Sequence, residues 1–327
     1  MIISRTPLRI SFVGGGSDIS TFYNLQPGAV VSTTIRKYIY VTVNKKFDNR
    51  IRASYSITEI VDDVNQLKHD LIRECLKLVN IDGGIEITSI SDITSRGTGL
   101  GSSSSYTVGL LNALHAHKGE HASAERLAQE ACKIEIEALN KPIGKQDQYA
   151  AAYGGLNYTQ FNPDESVFIE PIICKKEIKE ELERSLLLFY TGIARSSDLI
   201  LSEQKKNMET QEEKNEILEE MVELAREMKR ALTQNNPTQV GELLHKNWIL
   251  KKKMAQGISS PQIDKWYDTA RQNGATGGKI LGAGGGGFLL ICAPRSRHEQ
   301  IRKSLSMLRL MPFTYESQGS KIIYVEE

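Results

Sequence analysis

The chain has little with which to build a disulfide framework, a zinc site or a redox centre. It holds only four cysteines among 327 residues, Cys75, Cys132, Cys174 and Cys292, and no two lie within four positions of each other. No Cys-x-x-Cys unit exists, and the plain expectation is four reduced thiols. Long apolar runs are missing as well. Nothing approaches the roughly 20 residues that span a bilayer, and the stretch from Met1 to Gly16 lacks the apolar core of a secretory leader. Nor is there a surplus of either charge: 41 Lys and Arg stand against 40 Asp and Glu, for a net charge of +1. A dedicated nucleic-acid binder would carry a basic excess. These absences point to a cytoplasmic protein with neither a nucleic acid nor a membrane as partner, and leave the oligomeric state open.

The bulk composition is ordinary. Hydrophobic residues make up 40% and charged residues 25%, so the chain can bury a core along most of its length. Its size suggests about two domains. Ile2 to Val13 alternates, is rich in β-branched residues and stops at Gly14-Gly15-Gly16, as a strand running into a glycine turn does. Val30 to Val43 reads as one or two strands, Val64 to Leu78 as a helix, and Gly84 to Ile90 as another strand. Ser123 to Leu139 reads as a helix opened by a serine cap. Composition shifts between residues 162 and 185, which places the domain boundary near 175 and gives units of 1–175 and 176–327. Beyond it, Leu186 to Tyr190 reads as a buried strand and Asp198 to Gln234 as one long amphipathic helix with a solvated Glu/Lys face. Two shorter helices and a terminal strand pair, Gly287 to Cys292 and Lys321 to Glu326, complete the reading.

Three glycine-rich segments carry the chemistry. The middle one, Ser95 to Ser105, holds Gly97, Gly99 and Gly101 followed by four serines, between an expected strand and an expected helix. Glycines let a backbone approach a ligand closely, and a helix opening on serines points N–H groups and hydroxyls the same way, into an anion site. One serine suffices for a mere cap; four after three alternating glycines read as a phosphate cradle. No Lys-Ser or Lys-Thr pair follows, so it is not a P-loop. The last segment, Lys279 to Leu290, matches G-x-G-x-x-G at Gly282, Gly284 and Gly287, but a strand follows where a dinucleotide site needs a helix. It reads as a glycine loop against which another segment or a ligand packs. The first segment, Arg5 to Asp18, ends a strand in a glycine turn with a carboxylate just beyond, which by itself is most often only a turn.

Taken together and in this order, the three segments resemble the GHMP kinases (galactokinase, homoserine kinase, mevalonate kinase and phosphomevalonate kinase) over essentially the whole chain. Galactokinases have Gly-Glu-His-Thr-Asp where this chain has Gly14-Gly15-Gly16-Ser17-Asp18. That triple glycine and the run Gly144 to Gly155 are similar to the sugar-1-kinase branch typified by heptose 7-phosphate kinases. The family usually has a proline ahead of its glycines; here Thr94 and Arg96 stand in the approach. The resemblance implies an α+β fold of two domains: an N-terminal, ribosomal protein S5 domain 2-like unit and a C-terminal ferredoxin-like sheet with helices, with the active site in the cleft between them.

It further implies an ATP-dependent, Mg²⁺-requiring kinase whose partner is a small-molecule sugar or sugar phosphate. Gly97, Gly99, Leu100, Gly101, Ser102, Ser103, Ser104 and Ser105 would cradle the ATP phosphates. Ser103 and Glu135 would attend the metal, with Glu137 the nearby alternative. Asp147 matches the aspartate taken as catalytic base and Arg9 the cation facing it; from the residues alone Asp147 is equally a structural turn carboxylate. Gly15, Gly16, Asp18, Gly284 and Gly285 would meet the sugar. The implied reaction is phosphorylation of the C1 hydroxyl of D-glycero-D-manno-heptose 7-phosphate, on the route to a nucleotide-activated heptose. A free hexose such as L-fucose is the alternative acceptor, and a non-catalytic ATP- and sugar-binding regulator the alternative of another class. Arg36, Lys37 and Arg195 are candidates for contacting an acceptor's own phosphate.

Overall fold

The computed structural model describes residues 1–93, 97–193 and 197–326. Its strands are β1 (Ile2–Val13), β2 (Gly28–Lys45), β3 (Ile51–Ser54), β4 (Thr58–Val61), β5 (Ile85–Ser91), β6 (Leu156–Phe161), β7 (Val167–Pro171), β8 (Leu186–Tyr190), β9 (Gly277–Ile280), β10 (Phe288–Cys292), β11 (Arg309–Leu310), β12 (Tyr315–Glu316) and β13 (Lys321–Val325). The helices are α1 (Ser20–Tyr23), α2 (Asp70–Leu78), α3 (Ser102–His117), α4 (Ala124–Cys132), α5 (Gln146–Tyr153), α6 (Lys176–Ser185), α7 (Ser197–Thr210), α8 (Glu212–Thr233), α9 (Val240–Lys252), α10 (Pro261–Gln272) and α11 (His298–Ser304).

Two sheets organise them. Among the described residues nine strands form one mixed sheet in the order β13-β1-β2-β5-β3-β4, with β6, β7 and β12 joined through β2. The other sheet has four antiparallel strands in the order β11-β8-β10-β9. This is the α+β, two-domain architecture expected. The 18-residue β2 is the spine of the larger sheet. One of its edges pairs with β1; the other pairs with β6 over its first half and β5 over its second. An apolar, β-branched composition buried on both faces permits such a length. The helix α3 packs across β1 and β2 and is buried from Ser104 to His115. Among the described residues no helix is long and apolar enough to cross a membrane.

Four local expectations need correction. The helix expected over 64–78 starts only at Asp70, because the Glu59 carboxylate accepts the backbone N–H groups of Lys68 and His69 and holds those residues out of a helix. The helix over 123–139 is capped by Ser123 as expected, but changes to a π-helical turn at Lys133–Ala138. The long helix of 198–234 is two helices, broken at Gln211, whose backbone is extended. The terminal strands do not pair. The strand β10 lies in the small sheet, whereas β13 returns to pair with β1, so the end of the chain closes the larger sheet. Three of the four cysteines are buried thiols, and Cys174 is half-buried.

The third glycine run is the tip of the β9–β10 hairpin, and it packs on the middle one. A Cβ on Gly99 would lie 2.2 Å from the Leu281 carbonyl oxygen, and one on Gly282 would lie 2.6 Å from the Gly99 Cα. Backbone therefore meets backbone where the two units join. Gly99 also has φ +74°, which strains any other L-residue. Gly119 has a similar φ of +75° but nothing within 4 Å of its absent Cβ. Gly119→Ala should cost only the conformational penalty, about 1 kcal/mol. Gly99→Ala should cost at least about 3 kcal/mol, because the hairpin tip must also move away. Urea unfolding of both variants measures the difference; equal losses would mean that the hairpin docks loosely.

Candidate active site

The strand β1 delivers Arg9 to the centre of a cleft of about 750 Å³ between the two sheets. Arg9 is almost wholly buried, and three of its five N–H donors are bonded. Nε donates to Asp147 Oδ1 at 2.7 Å and Nη2 to Asp147 Oδ2 at 2.8 Å, while Nη1 donates to the Gly99 carbonyl. The bidentate fork fixes the carboxylate in direction as well as distance. Asp147 sits in the first turn of α5, where the helix dipole favours a negative charge. The Arg9 backbone N–H donates to the Leu100 carbonyl, so strand, glycine loop and helix are tied at one residue. The helix α3 begins after Gly101, whose left-handed conformation turns the loop into the first helical residue.

Beside this pair lies a second polar cluster. Ser103 Oγ donates to Glu135 Oε1 at 2.5 Å, and Gln148 Nε2 donates to Glu135 Oε2 at 2.8 Å. Glu135 is fully buried, whereas Glu137 is exposed. The π-helical turn brings this about: its wider winding aims Glu135 inward, and the Lys141 N–H closes it on the Glu135 carbonyl. The Lys141 ammonium stands 3.2 Å from Ser103 Oγ and 3.4 Å from Glu135 Oε1. Among the described residues no group of three or more His, Cys, Asp or Glu could hold a metal. A hydroxyl and a carboxylate oxygen in contact at the cleft wall nevertheless fit Mg²⁺, a hard cation that takes few protein ligands and keeps phosphate and water oxygens.

The far end of the cleft is formed by the first glycine turn. Asp18 is buried there and accepts from the Gly16 N–H at 2.9 Å, the Gln146 N–H at 3.2 Å and Gln146 Nε2 at 3.0 Å. Burial pushes its pKa up; the Gly16 N–H opposes that, and the nearby Asp147 charge adds to it. Two lysines reach this wall from the other unit. Lys251 of α9 donates to the Gly15 carbonyl and to Gln204 Oε1, and Lys279 of β9 donates to the Phe12 carbonyl.

Of the residues anticipated from sequence, Arg9, Gly15, Gly16, Asp18, Gly97, Gly99, Gly101, Ser102, Ser103, Ser104, Asp147 and Gly284 line the cleft. Glu135 sits behind Ser103. Leu100 is in the core, and the Ser105 hydroxyl is spent on the Pro7 carbonyl, so both lie off the cleft wall. Gly285 is turned away, with its N–H on the Ile258 carbonyl. Arg36 and Lys37 are not on the wall, and Thr94, Ser95, Arg96 and Arg195 lie outside the described residues. Lys141, Lys251 and Lys279 were not anticipated. Lys251 belongs to a run of three lysines that reads as a solvated face; only the position of Lys279 just ahead of the third glycine run hinted at a site.

Comparison with known proteins finds similarity over most of the chain. The model of the GHMP kinases N terminal domain matches residues 67–155, and that of the GHMP kinases C terminal matches residues 228–306. A D-glycero-alpha-D-manno-heptose 7-phosphate kinase of Campylobacter jejuni is 30% identical and covers 98% of both chains. The bifunctional fucokinase/GDP-fucose pyrophosphorylase of Arabidopsis thaliana is 26% identical over 88% of this chain and 29% of that protein. The crystal structure of a D-glycero-D-manno-heptose 1-phosphate kinase from Bacteriodes thetaiotaomicron superposes over 100% of both chains, with a TM-score of 0.81 and 26% identity.

The Ser103–Glu135 contact yields a direct test. Glu135→Gln keeps the side-chain shape but removes the anionic donor. The expected result is a rise of about tenfold in the Mg²⁺ concentration giving half-maximal phosphoryl transfer, equivalent to about 1.4 kcal/mol, with a smaller rise for Ser103→Ala. An unchanged magnesium titration in both variants would remove this pair from the metal's surroundings.

Proposed function

The chain belongs to the GHMP kinases and is an ATP-dependent sugar kinase, and from that premise we propose that it phosphorylates the anomeric C1 hydroxyl of D-glycero-D-manno-heptose 7-phosphate. The observation that carries the catalytic part is the Arg9–Asp147 fork, held between a glycine–serine loop on one side and the Gly15–Asp18 turn on the other. Similarity over nearly the whole chain to a heptose 7-phosphate kinase supports the choice of acceptor. The structural relative named as a heptose 1-phosphate kinase also acts, by its name, on a heptose phosphate chemistry, with the phosphate at the other end of the sugar.

Phosphoryl transfer asks the protein mainly for position and for charge compensation. In this reading the N–H groups around Gly97, Gly99 and Gly101 and the hydroxyls of Ser102, Ser103 and Ser104 receive the triphosphate at the positive end of α3. Leu100 and Ser105 hold the loop's shape from behind. Bound Mg²⁺ supplies charge neutralisation at the phosphates; Ser103 and Glu135 would hold it. Gly15, Gly16 and Asp18 meet the sugar, and Gly284 and Gly285 shape the facing hairpin tip. As the C1 oxygen bonds to the γ-phosphorus and the bond to the β-phosphate oxygen breaks, Asp147 takes the hydroxyl proton on a carboxylate oxygen. Each of its oxygens keeps a lone pair free beyond its bond to Arg9. Arg9 keeps the carboxylate aimed and offsets negative charge in the transition state.

The division into an ATP-binding unit and a second unit near residue 175 belongs to the same reading, with β12 and β13 returned to the first sheet. So does a cytoplasmic place of action, where the ATP donor is made.

Turnover is measured as ADP release with Mg-ATP across free sugars and sugar phosphates, and phosphorus NMR locates the new phosphate. The expected outcome is turnover with the heptose 7-phosphate and a new signal on C1. Turnover confined to L-fucose or another free hexose would keep the mechanism and replace the acceptor. Asp147→Asn should lower kcat by roughly 10²- to 10⁴-fold and leave the KM for ATP within about threefold; parental turnover would refute the base assignment.

A further inference from the structure

Lys251 and Lys279 are 4% and 3% exposed, yet both border the cleft beside the first glycine turn and the strand that leads into it. Buried lysines normally find a carboxylate partner. These do not: each ammonium is bonded only to neutral oxygens, Lys251 to Gly15 and Gln204 and Lys279 to Phe12. An ammonium has three N–H donors, so one on Lys251 and two on Lys279 have no protein acceptor among the described residues. Around them, Gln204 Nε2 and Ser11 Oγ are also buried without a partner. Ser11 lines the cleft, and Gln204 touches the wall through Lys251 and Gly16.

The carboxylates nearby do not neutralise the pair. Asp147 is committed to Arg9, and Asp18 already receives three N–H groups from Gly16 and Gln146. Asp198, in the first turn of α7, lines the cleft but is exposed to solvent. The two ammonium groups repel each other and Arg9 adds to the positive field at Lys279, with the Asp18 charge opposing in part at both lysines. The missing partner is an anion with several acceptor oxygens. A phosphate monoester supplies three such oxygens and nearly two negative charges, matching the three free donors. A neutral sugar hydroxyl could accept one bond but would leave the two buried positive charges uncompensated.

We propose that Lys251 and Lys279, with Ser11 and Gln204, form the subsite for a phosphate already present on the acceptor, distinct from the glycine–serine loop that takes the nucleotide phosphates. The proposal rests on the sugar-phosphate reading above and names the residues that tell a sugar phosphate from a free sugar. The lysines come from the second unit and their carbonyl partners from β1 and its turn, so an anion bound here also bridges the two units across the cleft.

The test compares kcat/KM for the heptose 7-phosphate with that for the same sugar without phosphate. Lys251→Met and Lys279→Met should each raise the KM for the sugar phosphate by roughly 10- to 100-fold, the loss expected of a charge-assisted hydrogen bond. The KM for ATP and the kcat/KM for the free sugar should change by less than about threefold. Variants that keep the wild-type preference for the phosphorylated sugar would overturn the subsite and leave the acceptor reading standing. Equal loss on both sugars would also overturn it, because that pattern marks structural damage. Inorganic phosphate with the wild-type enzyme removes any dependence on how the variants fold: it should inhibit competitively against the sugar substrate and not against ATP. If the wild type draws no distinction between the two sugars, the acceptor reading falls. The phosphate competition then decides the subsite alone, with competition against ATP only, or none, refuting it.

Discussion

Everything in the cleft is placed relative to one buried guanidinium. Arg9 spends its donors on a carboxylate from α5 and a carbonyl from the glycine loop, while its own backbone holds the next carbonyl of that loop. Such a charge is costly to bury unless it is paired and hydrogen-bonded, and removing its carboxylate partner leaves an uncompensated charge. The strand, the loop and the helix are therefore fixed together. The order of elements around β1 follows from the same need: α3 lies across its face, β2 and β13 flank it, and its C-terminal end opens into the glycine turn that carries Asp18.

The second constraint is the contact between Gly99 and Gly282. It is a contact of main chain with main chain, so neither residue tolerates a side chain. Its consequence is mechanical. The cleft is roofed by the hairpin tip from the small sheet, and Lys279, three residues before Gly282, is carried to the wall by the same strand. The second unit thus contributes to the site through β9 and its turn and through Lys251 of α9.

How much of this could be read from the sequence depended on whether the signal was local. The strands β1 and β8 are delimited by alternation and by a glycine turn or a polar boundary, and their ends agree with the structure to the residue. The Ser123 cap was equally local. The Gly/Ser loop and its helix were legible because a row of serines after glycines has few purposes. Features set by distant partners were not legible. Nothing in residues 64–69 announces that Glu59 will take the N–H groups of Lys68 and His69, and no helical periodicity shows that residues 133–138 wind more widely to turn Glu135 inward. The run of residues 209–216 is wholly polar but holds no proline or glycine, so nothing in it marks the junction of two helices at Gln211. Lys251 is the sharpest case. Three consecutive lysines on a helix look like solvated surface, and only the docking of α9 against the first glycine turn buries one of them.

That burial also explains why this end of the cleft works against the fold. Burial lowers the Lys251 pKa from 10.5 to about 8, with Asp18 opposing, and lowers that of Lys279 from 10.5 to about 7, with Lys251 and Arg9 adding to the shift. Between those values and 10.5 the unfolded chain holds more protons than the folded one. The contribution of these two groups to stability is therefore least favourable below about 7, improves as pH rises through the window, and loses its penalty above it. A core of this size could have housed two methionines there at no such cost. Buried cations with unmet donors, an unpartnered glutamine amide and a carboxyl pushed toward its neutral form are concentrated on one wall, while the surrounding sheets are apolar and well packed. Two buried cations short of acceptors, beside an unpartnered amide and hydroxyl on the same wall, mark where the structure has been shaped around a charged partner rather than for its own stability.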